Sequence, residues 1–131
     1  DNSNDFFQEY LSNKDLRDYI IQEFIPSGED VRVFVKKGEA ITAFKRRATE
    51  GFMTVNKGEY TLFDLSNEPE SKALAEKVAE IFMADFMAVD LMHKDGKPLL
   101  QEISFNPGFK AFENKVEGNE MNMAKEIVTA F

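Results

Sequence analysis

The chain has 131 residues, of which 43% are hydrophobic and 12% aromatic, enough for one domain with a core and too apolar for a disordered segment. Its formal net charge of −8 disfavours binding to a nucleic-acid backbone, whose usual footprint is a basic face. It has no cysteine, which excludes disulfides, thiolate catalysis and cysteine-ligated zinc, and its apolar runs are too short to span a bilayer.

Taken in chain order, Asn4 to Leu11 carries Phe7, Tyr10 and Leu11 at helical spacing behind a polar cap, which predicts a short helix within an N-terminal segment, residues 1–18. Tyr19 to Ile25 is rich in β-formers and stops at Pro26-Ser27-Gly28. Val31 to Lys36 alternates valines with Arg32, Phe34 and Lys36, and Lys37-Gly38 turns the chain into Glu39 to Arg47, a hairpin. Residues 48–65 read as a loop long enough to suggest function. A helix is expected from Asn67, with Glu70 at the capping-box position, Pro69 in the first turn, and a stripe of Leu74, Val78, Ile81 and Phe82. Phe86 to Met92 and Leu99 to Ile103 read as a second hairpin about Lys94-Asp95-Gly96-Lys97. Asn106-Pro107-Gly108 breaks the chain, and Asn119 is expected to cap a last helix with Met121, Ala124 and Val128 on one side. Hairpins dominate, so the expected class is α+β, with a mainly antiparallel sheet and helices packed on one face.

The chemistry is expected around Asp90 and Glu102, each set in an aliphatic strand. An ionised carboxylate in such surroundings costs several kcal/mol unless compensated. One shared cation answers both, and hard oxygen ligands point to magnesium or manganese. The alternative is that each acid pairs with a lysine or arginine. A two-residue turn at Asp95-Gly96 would send the two carboxylates to opposite faces. A three-residue loop, or an equivalent bulge, keeps them on one face, so that geometry is expected.

Several runs carry a family resemblance. Val89-Asp90-Leu91, followed by Glu102-Ile103-Ser104-Phe105-Asn106-Pro107-Gly108, resembles the magnesium signature of ATP-grasp ligases. Ile21 to Ile25 resembles that family's adenine-contacting hinge, Glu29 to Val35 its following strand, and Lys45-Arg46-Arg47-Ala48 with Asn56 its phosphate-facing segment. The run from Tyr19 to Phe131 is similar to the glutathione-synthetase-like branch, nearest the ribosomal-protein glutamate ligases and lysine-biosynthesis ligases.

That resemblance implies an ATP-grasp C-terminal subdomain over residues 19–131 and an ATP- and magnesium-dependent ligase that joins a carboxylate to an amine through an acyl-phosphate. It implies that Glu23, Phe24 and Ile25 meet the adenine, Asp30 the ribose, and Asn56 the nucleotide. Arg46 would act as the catalytic cation on the transferring phosphoryl group. Asp90, Glu102 and Ser104 would hold Mg2+ or Mn2+, with Ser104 standing where the family usually has Asn, and Thr54 where near relatives often carry Arg. It further implies small-molecule or peptide carboxylate and amine substrates and a missing N-terminal ATP-grasp subdomain, so that this piece is a C-terminal fragment and inactive alone. Nucleic acid and membrane are not expected partners. A cytoplasmic setting fits the lack of cysteine and of a signal sequence. Two further readings stand beside the enzyme: a non-catalytic binding or scaffold domain, and a homo-oligomer formed through the face its other half would cover. His93 is expected at the surface, and the methionines in the core.

Overall fold

The computed structural model describes residues 12, 17, 20, 22–48 and 58–131. Five strands form one antiparallel sheet. β1 is Glu29–Lys36, β2 Glu39–Arg47, β3 Glu59–Leu62, β4 Phe86–Lys94 and β5 Lys97–Ser104. Their spatial order is β3-β2-β1-β4-β5. The expected class and antiparallel sheet are therefore present.

Period-two alternation gives the sheet two different faces. Val31, Val33 and Val35 of β1, with Met87, Val89 and Leu91 of β4, pack on helix α1, Pro69–Ile81. The helix approaches closely because its buried residues are small: Ser71, Ala75, Val78 and Ala79. Only Val78 of the expected stripe is buried; Ile81 and Phe82 are exposed. The capping box does not form either. Asn67 ends a 3-10 turn over Leu65–Asn67 and donates from Nδ2 to Asp64, and Pro69 opens the helix.

On the opposite face Phe34, Phe44, Phe86 and Ala88 pack with Phe112 and Val116 around helix α2, Lys110–Lys115, and with Met123 of helix α3, Met123–Val128. Helices thus lie on both faces rather than one. The ring of Phe34 contacts Phe44, Phe86 and Phe112 at centroid separations of 6.0, 6.1 and 5.6 Å. Together they form the aromatic centre of this layer.

Four element readings change. Residues 22–25 carry no strand. β3 lies within the stretch read as loop. α2 was not expected. The cap of α3 is Asn122, whose side chain accepts from the Lys125 amide, whereas Asn119 accepts from Met121 in a local turn. The side of α3 that packs inward therefore carries Met123 and Ile127, not Ala124 and Val128. The expected helix at 4–11 lies outside the described residues, as does almost all of the 1–18 segment. Met87 and Met123 are core, while Met83 is exposed. His93 is half-buried, and its Nε2 lies 3.0 Å from the buried Ser71 hydroxyl.

Candidate metal and nucleotide site

The face that carries the phenylalanines changes character beyond them. By the same alternation, Asp30 and Arg32 of β1 follow Phe34 onto this face, as do Arg46 of β2 and Asp90 of β4. Strand register sets them side by side. Asp30 is opposite Arg46, Arg32 opposite Asp90, and Asp90 opposite Glu102. Arg47 goes to the other face, where with Lys45 it pairs with Glu29.

The Asp90–Glu102 pairing depends on one irregularity. The β4–β5 connection is a two-residue turn with positive φ at both positions, 53° at Asp95 and 77° at Gly96, the geometry that suits an Asp-Gly pair. Had the ladder run regularly from that turn, Gln101 would oppose Asp90. A bulge at Asp90/Leu91 takes Gln101 out of register, so Leu91 pairs with Leu100 and Asp90 with Glu102. The three-residue loop is absent, and its alternative, the bulge, does the same work. It brings the two acids directly opposite rather than diagonal.

Burial divides the pair. Asp90 is 3% exposed, whereas Glu102 is on the surface. The expectation of two buried acids therefore holds for one of them. Asp90's charge is also met by protein. Arg32 donates from Nε to Oδ1 at 2.7 Å and from Nη2 to Oδ2 at 2.6 Å, and Arg46 donates from Nη2 to Oδ2 at 2.9 Å. Arg46 in turn grips Asp30 with two bonds of 2.6 Å. Arg32 was missed as a site residue. Its signal was available: an arginine on the phenylalanine-bearing side of a mostly buried strand.

The four charges are coupled. Burial pulls the Arg46 guanidinium down, but its hydrogen bond to Asp30 and the charges of Asp90 and Asp30 win and hold it above its ordinary value. Burial pushes the Asp30 carboxyl up, and the nearby Asp90 charge adds to this, against the hydrogen bonds and charge of Arg46. The opposite fortunes of the two partners follow from sharing. Arg46 serves two carboxylates, while Asp30 has part of one arginine and a like charge beside it.

Among the described residues, no group of three or more His, Asp or Glu side chains forms a complete metal cage. Asp90, Glu102 and the half-buried Ser104, which is opposite Ala88, still share one face and supply hard oxygens. An ionised carboxylate has about four acceptor positions. The arginines fill three on Asp90, leaving one on Oδ1. Glu102 accepts no hydrogen bond from the described residues. By the chemistry of its hard oxygen donors this set fits a magnesium-type ion, which Asp90, Glu102 and Ser104 would hold.

The hinge residues sit apart from this cluster. Glu23 is exposed and accepts from Lys94 Nζ at 2.6 Å, Phe24 is 68% exposed, and Ile25 is half-buried. Asn56 lies outside the described residues, as does Thr54.

A profile of the RimK-like ATP-grasp domain matches residues 4–131. The chain belongs to that family. Curated relatives include probable alpha-L-glutamate ligases of Saccharophagus degradans, 28% identical over 85% of this chain, and of Aliivibrio salmonicida, 35% identical over 72%. The chain spans only 38% and 32% of those proteins. Among solved structures, the ATP-grasp ligase PsnB complexed with a minimal precursor superposes with a TM-score of 0.64 at 21% identity, covering 83% of this chain and 34% of PsnB. D-alanine–D-alanine ligase from Bacillus anthracis complexed with ATP gives 0.62 at 14% identity, covering 98% and 41%. These superpositions carry the fold, and their fold is that of ATP-grasp ligases.

Proposed function

We propose that this chain is the metal- and phosphate-binding part of an ATP-dependent carboxylate–amine ligase, completed by a further subdomain that closes over the nucleotide. The observation that carries the reading is the bulge opposite Asp90. It aligns the two acids of the family's metal signature on one face, beside the buried Arg46 and the half-buried Arg32. Family membership and the partial span of the relatives support it.

In this reading Asp90, Glu102 and Ser104 hold Mg2+, or Mn2+ in its place. The ion, when bound, offsets charge on the ATP phosphates. Arg46 is fixed by Asp30 through Nε and Nη2, which leaves the Nη1 hydrogens for the transferring phosphoryl group. Asp30 then acts first as the anchor of Arg46, and any contact with a ribose hydroxyl must share its engaged oxygens. Glu23, Phe24 and Ile25 would offer backbone groups to the adenine, although the Ile25 carbonyl already accepts from the Ser27 amide, and Asn56 would meet the nucleotide. A substrate carboxylate oxygen attacks the γ-phosphorus as the bond to the β,γ-bridging oxygen breaks and ADP leaves. The amine of the second substrate attacks the acyl carbon, phosphate departs with the bonding electrons, and the amine's proton passes to solvent or phosphate. Peptide or small-molecule acids and amines are the substrate class, and the setting is the cytoplasm.

Calorimetric titration of the full-length protein carrying this chain with magnesium and a non-hydrolysable ATP analogue is expected to give saturable binding. No binding at millimolar analogue would sink the ligase reading. Ser104 and the engagement of Asp90 by arginines favour a second reading, a binding or scaffold domain without turnover. Binding without release of ADP for any acid and amine pair decides for it.

A further inference from the structure

Resting on the ligase reading, we propose that Arg32 is a positioning residue that occupies Asp90 in place of the metal, so that the ion is bound well only together with nucleotide. The two arginines on Asp90 are held differently. Arg46 has a second anchor in Asp30, with two bonds of 2.6 Å. Arg32 has no hydrogen-bonding partner but Asp90 among the described residues, and its side chain is 16% exposed against 10% for Arg46. Arg32 can therefore turn away at the cost of one ion pair, while Arg46 cannot move without breaking two.

Charge decides when it turns. Asp30, Asp90 and Glu102 carry three negative charges, and Arg32 and Arg46 two positive ones. The cluster is thus close to neutral without ligand. A bare divalent cation entering beside Asp90 meets two guanidiniums within hydrogen-bond distance of its ligand, and at short range in a partly dry site that repulsion is large. A triphosphate brings the negative charge that both the ion and a released Arg32 require. Metal and nucleotide then raise each other's affinity through one side chain, and the coupling is reciprocal. Register supports the assignment. Arg32 and Asp90 are direct cross-strand partners, so the pair forms as the sheet closes and needs no loop to build it.

The test uses the full-length protein and Mn2+ as the probe, with free ion counted by electron paramagnetic resonance and no nucleotide present. Wild type is expected to bind Mn2+ weakly. Arg32→Gln removes the charge but leaves Asp90 its bond from Arg46, and is expected to bind nucleotide-free Mn2+ at least about tenfold tighter. Asp90→Asn in the Arg32→Gln background is expected to abolish the gain, which locates the ion. A purely structural Arg32 predicts the reverse, since loosening Asp90 weakens its hold on any ion. Unchanged or weaker Mn2+ binding by Arg32→Gln overturns the proposal. Should that variant not fold, Arg32→Met, which removes the charge while keeping a side chain of similar length, is expected to tighten Mn2+ likewise, and no tightening overturns it equally. Failure of wild type to bind magnesium with the ATP analogue strikes the ligase reading instead. Binding of the analogue by wild type, with no gain of Mn2+ in Arg32→Gln, removes this proposal alone.

Discussion

Glu102 and Asp90 are cross-strand partners of the same chemical type, and the site uses them differently because one is exposed and the other is not. Glu102 has no ion pair among the described residues, so Glu102→Gln should leave stability within about 0.5 kcal/mol of wild type. The same substitution should lower magnesium-dependent affinity for an ATP analogue at least about tenfold, since a ligand oxygen loses its charge. A denaturation curve and a titration on one sample check both halves, and a stability loss with affinity intact would reverse the assignment. Asp30 and Glu29 make a second contrast. Asp30→Ala removes the two-bond anchor of the buried Arg46 and should cost about 3 kcal/mol. Glu29→Ala removes an acid that, among the described residues, pairs with the part-exposed Lys45 and the exposed Arg47 on the other face and should cost less than about 1 kcal/mol. Equal losses in urea denaturation would show that burial is not what distinguishes them.

At the level of elements, the strands that place the site could be read from the chain because β1 alternates and the others are apolar or β-forming runs bounded by turn residues, and β1, β2, β4 and β5 all lie where those signals put them. β3 could not. It is four residues at the sheet edge, and only Tyr60 and Leu62 face the aromatic layer. α2 is six residues with no side-chain cap, so its place is set by Phe112 entering the Phe34–Phe44 cluster, a tertiary contact with no local signature. The asparagine caps were confused because Asn119 and Asn122 both bind nearby amides, and only packing tells a turn from a helix start. The metal strands show the limit most clearly. Composition pointed to Asp90 and Glu102, but whether they share a face depends on one residue of register. That point is testable by deleting Gln101. The deletion removes the bulge yet leaves the glutamate opposite Asp90, so metal-dependent nucleotide affinity should stay within a few-fold of wild type. Loss of binding, with the fold intact by circular dichroism, would mean that the bulge shapes the site in some way beyond register.

Across the whole molecule the two faces of the sheet carry different burdens. The α1 face is aliphatic and close-packed by small residues, and the aromatic half of the other face is held by Phe34, Phe44 and Phe112. Neither needs the charged row to close its core. Asp30, Arg32, Arg46 and Asp90 nevertheless sit buried or nearly so. Removing such groups from water costs several kcal/mol each, and their mutual attraction rarely returns more than that. If the row exists for binding, exchanging it for apolar side chains of similar volume should make the protein more stable and useless. The variant Asp30→Leu, Arg32→Met, Arg46→Met, Asp90→Leu replaces all four at once and so leaves no orphaned charge behind. It should gain about 1–4 kcal/mol in chemical denaturation while losing all metal-dependent nucleotide binding. A structural row predicts the opposite sign, because then the ion pairs hold β2, β1 and β4 together and their removal loosens the sheet. The sign of that one difference separates a site that the fold tolerates for its chemistry from a brace that only resembles one.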